Sequence, residues 1–146
     1  MIQEITFLEI CMFIQQWEGC RDESYKDTTG NWTIGIGHYL GKGNALQGTK
    51  WNKGKIDAQF KIDVFHALTS TSGLFPQFTK YPKEVQLILV DLSFNLGMVG
   101  LSKFKNFRTA ILAQDYQAAA KALENSKWYK QVGKRGKHHV QVLKGL

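Results

Sequence analysis

Hydrophobic and polar positions change period along the chain, and each change marks an element. Thr6-Phe7-Leu8-Glu9 has the form of a capping box, with Ile5 and Ile10 placed for a hydrophobic staple around it. The apolar run that follows predicts a helix to about Trp17 or Glu18, stopped by Gly19. From Glu23 the period shortens. Ser24-Tyr25-Lys26-Asp27 is extended in character, Thr28-Thr29-Gly30 reads as a turn, and Asn31-Trp32-Thr33-Ile34 as a returning strand. Gly35 and Gly37 alternate with Ile36, which predicts close approach of another backbone or a ligand. His38-Tyr39-Leu40 closes the small sheet, and Gly41 to Lys55 reads as loop.

Helical spacing then takes over. Apolar residues at 56, 60, 64, 65 and 68 predict a helix from Ile56 to about Thr71. Pro76 and Pro82 bracket a connection. Lys83 to Leu96 is apolar nearly all round its second half, as a central buried helix would be, with Gly97 and Gly100 ending it. Short helices are expected near Phe107–Leu112, Tyr116–Leu123 (capped by Asp115) and Lys127–Gln131 (capped by Ser126). The tail, Lys134 to Leu146, reads as an amphipathic helix packing Val140, Leu143 and Leu146 on the body. The whole predicts one α+β domain over 1–146. A small helix-plus-β-hairpin lobe (1–55) and a helical lobe (about 72–146) are joined by the helix at about 56–71, with a ligand cleft between them.

The 146 residues are 43% hydrophobic and 21% charged, which excludes a disordered chain and permits a core without cross-links. Net charge is +7, and the excess is uneven: residues 121–146 hold 7 basic side chains and 1 acidic one. Such a patch favours anionic partners without choosing among nucleic acid, lipid and cell wall. Cys11 and Cys20 would face opposite sides of one helix, about 13.5 Å apart along its axis, so both are expected as thiols. The first basic residue is Arg21, and Glu4 and Glu9 interrupt the N-terminal apolar stretch, so neither a signal peptide nor a membrane span is expected there.

The chemistry concentrates between residues 18 and 38. Glu18 falls at the negative end of a helix, and a second carboxyl, Asp27, and a hydroxyl, Thr33, fall on the sheet beside it. Two carboxyls in unlike surroundings are what glycosidic hydrolysis requires: one protonated to serve the leaving oxygen, one ionised to steer water or stabilise an oxocarbenium-like state. Solvated surface carboxylates would look the same by spacing alone. The specific signal is the string Glu18, Gly19, Arg21, Tyr25, Asp27, Gly30, Thr33, Ile34, Gly35, Gly37 and His38. It resembles, without a gap, the catalytic segment E-G-x-R-x-x-x-Y-x-D-x-x-G-x-x-T-I-G-x-G-H of the phage-type lysozymes, glycoside hydrolase family 24. The likeness continues more weakly through Asp63-Val64, Phe94-Asn95-Leu96-Gly97, Ser126-Lys127-Trp128-Tyr129 and Arg135.

The resemblance implies a lysozyme-like fold and a role for each matched residue. Glu18 matches the general acid, Asp27 the second carboxylate, and Thr33 the hydroxyl that positions the attacking water, in an inverting mechanism. His38 and Asp63 match a buried ion pair supporting the cleft, and Arg135 an arginine that reaches the glutamate. Trp32, Tyr39, Phe94 and Asn95 are weaker substrate-contacting candidates. Trp32 and Tyr39 fit packing equally well, and Phe94, Trp128 and Tyr129 read first as core. Two departures concern substrate grip: Asn95 stands where the family often has Gln, and Ala122 where its T-even branch has a substrate-contacting Asn. The resemblance implies no cofactor, and His66, His138, His139, Cys11 and Cys20 lack zinc spacing.

Implied in turn are a peptidoglycan substrate, a monomer, no specific nucleic-acid partner, and the role of a phage endolysin. It would wait in the host cytoplasm and reach the periplasm and wall through a holin-type pore. A bacterial antibacterial effector with the same domain, or a wall- or polyanion-binding module with weak catalysis, are the alternatives. The basic tail would be a packed solvated helix, an electrostatic contact with the anionic wall, or a membrane contact.

Overall fold

A computed structural model of the protein describes residues 5–27 and 29–146. Thr28, expected in the turn after Asp27, and Glu4 lie outside the described residues. The chain is mixed α+β, with seven α-helices and one three-stranded antiparallel sheet among the described residues.

Helix α1 spans Phe7–Gln15 behind a full capping box: Glu9 N donates to Thr6 Oγ1 and Thr6 N donates to Glu9 Oε2. It stops earlier than the expected Trp17 or Glu18. The amides of Trp17 and Glu18 donate to the carbonyls three residues back, Ile14 and Gln15, and tighten the chain into a turn. Glu18 therefore sits on that turn. Strands β1 (Arg21–Lys26), β2 (Trp32–Gly35) and β3 (His38–Gly41) follow, in the order β1-β2-β3. Register places Thr33 between Tyr25 and Tyr39.

The stretch expected as free loop is pinned to the sheet. Ser24 N donates to Thr49 O, Trp51 N to Asp22 O, and Ser24 Oγ to Leu46 O. Helix α2 (Lys53–Leu74) starts three residues before the expected Ile56, because Asn52 caps it by accepting from Lys55 N. Ile56, Phe60, Val64 and Ala67 form its buried stripe: Ile56 meets Gly35 of β2, and Phe60 meets Phe94.

Helix α3 (Lys83–Ser102) is the centre of the molecule. Val85, Leu89, Val90 and Leu92 are fully buried, each such side chain contributing about 1.5–3 kcal/mol. By length and composition it could cross a membrane, but half of that stretch is buried inside the protein, where it packs on α1, α2 and α7. The expected end at Gly97 is instead a break. Gly97 takes φ 75° and ψ 165°, and the helix resumes beyond it to Ser102. Helices α4 (Lys105–Leu112), α5 (Tyr116–Glu124), α6 (Lys127–Val132) and α7 (Lys134–Lys144) close the body, with Asp115 and Ser126 capping α5 and α6 as the sequence predicts. Val140 and Leu143 of α7 are buried. Leu146, expected to pack with them, is exposed because the helix ends at Lys144. Both cysteines are free, Cys11 packed against the core and Cys20 exposed.

Candidate active site

A cleft of about 580 Å³ opens between the sheet and the break in α3. Glu18, Tyr25, Asp27, Asn31, Thr33, Gly37 and Tyr39 line one side, and Phe94, Asn95, Leu96 and Gly97 the other. The arrangement follows from local rules. Pairing puts Tyr25, Thr33 and Tyr39 in register on one face of the sheet, and the turn after α1 delivers Glu18 to its edge.

Gly37 explains the glycine alternation. It has φ 67°, and a Cβ there would lie 3.0 Å from Glu18 Oε2 and 3.3 Å from Phe94 Cε1. What approaches this backbone is the Glu18 carboxyl itself. The other oxygen, Oε1, accepts a 2.8 Å hydrogen bond from Arg135 Nη1, while among the described residues Oε2 accepts none. One oxygen is thus anchored and the other left for chemistry.

The anchor is itself held from behind. Arg135 Nε and Nη2 donate to the two oxygens of Asp91, at 2.8 and 2.7 Å, in a bidentate pair. Asp91 is fully buried and also accepts from His139 Nε2 at 2.7 Å. Burial works against the charge of Arg135, but its hydrogen bonds to Asp91, with the charges of Asp91 and Glu18, outweigh that and hold the guanidinium charged. Asp91 and His139 are the residues that pattern reading missed. The signal was present: one carboxylate inside the run Leu87-Ile88-Leu89-Val90-Asp91-Leu92 requires a buried cation, and α7 carries Arg135 and His139 four apart on one face.

Asp27 is in the opposite environment. Its Oδ1 accepts from the amides of Thr29 and Asn31 and from the Thr29 hydroxyl, at 2.8, 2.9 and 2.7 Å. Partial desolvation pushes its carboxyl up, and these hydrogen bonds outweigh it, leaving Asp27 below the usual carboxylate range. Thr33 is buried beside it. Burial, and then the nearby Glu18, raise Tyr25, so the phenol on this wall keeps its proton.

The remaining candidates separate. His38 Nδ1 meets Asp63 Oδ2 at 2.7 Å, and Asp63 Oδ1 accepts from Gln59, but the pair is partly exposed and not buried as expected. Both line a second cavity of about 310 Å³ that adjoins the cleft through Gly37, Tyr39, Phe94 and Gly97. Tyr39 is exposed at the lip, and Phe94 packs edge-on to Phe60. Asn95 Oδ1 accepts from Trp128 Nε1 at 2.7 Å, which ties the side chain to the core while its amide nitrogen makes no hydrogen bond among the described residues. Trp32 is buried under Lys26 and lines neither cavity, because its neighbour Thr33 takes the cleft-facing side of β2. Among the described residues no cluster of His, Cys, Asp or Glu is placed to hold a metal ion.

Comparison with known proteins points to one family. The family model described as Phage lysozyme matches residues 15–146. Peptidoglycan hydrolase gp36 of Pseudomonas phage phiKMV is 31% identical over 130 residues, covering 89% of this chain and 14% of that protein. The pre-baseplate central spike protein Gp5 of Enterobacteria phage T4 is 27% identical, covering 93% of this chain and 28% of its own length. Probable T4-type lysozyme 2 of Dictyostelium discoideum is 26% identical over 86% of this chain and 88% of its own. The chain thus spans under a third of the length of both phage relatives.

Proposed function

The chain belongs to the phage lysozyme family, and from that membership we propose that it hydrolyses the β-1,4 bond between N-acetylmuramic acid and N-acetylglucosamine in peptidoglycan. Glu18, through its unanchored Oε2, gives the proton to the departing glycosidic oxygen. Asp27, kept ionised by Thr29 and Asn31, and the Thr33 hydroxyl hold water on the opposite face of the sugar. Water attack from that face inverts the anomeric centre, a route that needs the two carboxyls about 6.5–9.5 Å apart to leave room for the water. The observation that carries the reading is the lining of one cleft by two unlike carboxyls, one anchored by a buried arginine and one cradled by backbone amides.

The test is clearing of permeabilised Gram-negative cells by the protein and by Glu18→Gln. The variant is expected to lose on the order of 10²–10⁴-fold in rate, the usual contribution of a general acid. Equal clearing by both removes Glu18 from the mechanism. Product masses with muramic acid at the reducing end fit hydrolysis, whereas an anhydro product means transglycosylation. Proton NMR of the first product should show the α-anomer, and a β-anomer overturns inversion.

For its setting, we read the domain as a lysis enzyme that reaches the wall from the host cytoplasm through a membrane pore. The likeness to a T4 spike protein favours a second setting, in which the same chemistry opens the wall from the phage particle. Mass spectrometry of purified particles separates the two: peptides of this chain in virions support the second and count against the first.

A further inference from the structure

Behind Glu18 lies a chain of polar groups, buried at Arg135, Asp91 and His139, that the proposed reaction does not itself require. It runs from Glu18 through Arg135 and Asp91 to His139 and His138, every link 2.9 Å or shorter. His139 is fully buried between two aromatic rings, stacked on Phe13 at 5.6 Å and on Trp128 at 5.8 Å. Sandwiched this way, the imidazole meets polar partners only through its edge. Its Nε2 faces Asp91 and its Nδ1 faces His138 Nδ1 at 2.9 Å.

We propose that Asp91 and His139 are positioning residues for Glu18. They fix the Arg135 guanidinium so that Nη1 alone is presented to Oε1. This rests on Glu18 being the general acid. The logic is one of donors and acceptors. Asp91 accepts three hydrogen bonds, two from Arg135 and one from His139 Nε2–H. Without the histidine, a buried carboxylate lone pair loses its partner and the carboxylate is free to rotate with the guanidinium it holds.

The same geometry assigns the imidazole protons. A neutral His139 that donates through Nε2 has a lone pair at Nδ1, so His138 must donate to it through its own Nδ1–H. Two Nδ1 atoms at 2.9 Å are bridged by one proton. The pair therefore takes up one further proton as a unit, and double protonation breaks the contact. The charged groups facing it are Asp91 from α3, Arg135 on α7 itself, and Glu18 from the turn after α1, reached through Arg135. Helices α1 and α6 contribute the rings of Phe13 and Trp128, and the turn after α1 contributes that of Trp17. Burial first, and then the neighbouring His139, lower His138, so its own ring stays neutral further into acid than a free imidazole.

The experiment compares the protein with His139→Leu and His139→Gln by kcat and KM on purified peptidoglycan across pH. His139→Leu should lose on the order of tenfold in kcat with KM within about twofold, since orientation and not binding is lost. His139→Gln should recover most of that loss, because its amide can donate to Asp91. Its acid-side pH dependence should also differ from the parent protein's, because His138 has lost its imidazole partner. Unchanged kcat and pH profile in folded His139→Leu, or no recovery in folded His139→Gln, overturns the proposal. Nitrogen-15 NMR of the unaltered protein tests it without substitution. Neutral His139 should carry its proton on Nε2 and His138 on Nδ1, and the reverse assignment sinks the inference. An unaltered protein inactive on peptidoglycan instead removes the hydrolase reading and leaves the tautomer result standing.

Discussion

Gly37 sets how close the Glu18 carboxyl comes to the sheet. With φ at 67°, any side chain there is strained, at about 1–2 kcal/mol, and its Cβ would strike Oε2. Gly37→Ala should therefore lower kcat far more than that strain lowers stability, as comparison of turnover with thermal melting will show. The sign for Asp27 follows from its hydrogen bonds. Its folded carboxyl gives up its proton more readily than free Asp, so it contributes stability above the ordinary carboxylate range. That contribution disappears as pH falls through the folded value. Carbon-13 NMR of the carboxyl should show it titrating below free Asp, and Thr29→Val, which deletes one donor, should move it upward. Glycine spacing makes Gly37 legible as a site of close approach, but the approaching atom, a carboxyl oxygen 19 residues away in the chain, is set by the fold. Asp91 and His139 escaped pattern reading because each is interpretable only beside the other, 48 positions apart.

Elements were legible where a cap coincided with an apolar period. Thr6, Asp115 and Ser126 each mark a helix start that periodicity also marks. The start of α2 was hidden because Lys53-Gly54-Lys55 has the composition of a loop, and the apolar stripe begins only at Ile56. Asn52 makes up for that weak first turn by accepting from Lys55 N. Asn52→Ala should cost about 1 kcal/mol in denaturant unfolding with little effect on kcat, since Asn52 lines no part of the cleft. The break in α3 looks like a terminus in the sequence for a related reason. Glycine signals an end by its backbone freedom, and only the packing of Leu101 into the core shows that the helix resumes.

At the level of the whole molecule, mixed α+β architecture was readable from the switch in period, but the partition of charge was not. The basic C-terminal segment looks like one patch in sequence, yet folding divides it. Arg135 turns inward to Asp91 and Glu18, and Lys144 pairs with Glu124, while Lys130, Lys134 and Lys137 stay exposed. Replacing Lys134 and Lys137 with Gln should weaken salt-sensitive wall association and leave melting unchanged, as sedimentation with cell walls at two ionic strengths will read. Removing residues 134–146 should unfold the protein, because Val140, Leu143, Arg135 and His139 leave with them. The bond between Glu18 and Arg135 spans 117 residues. A ribosome adding about 5–20 residues per second needs roughly 6–23 s to make that interval. Throughout that time the emerging carboxyl lacks its Arg135 partner, so the anchored geometry can form only once α7 has been made.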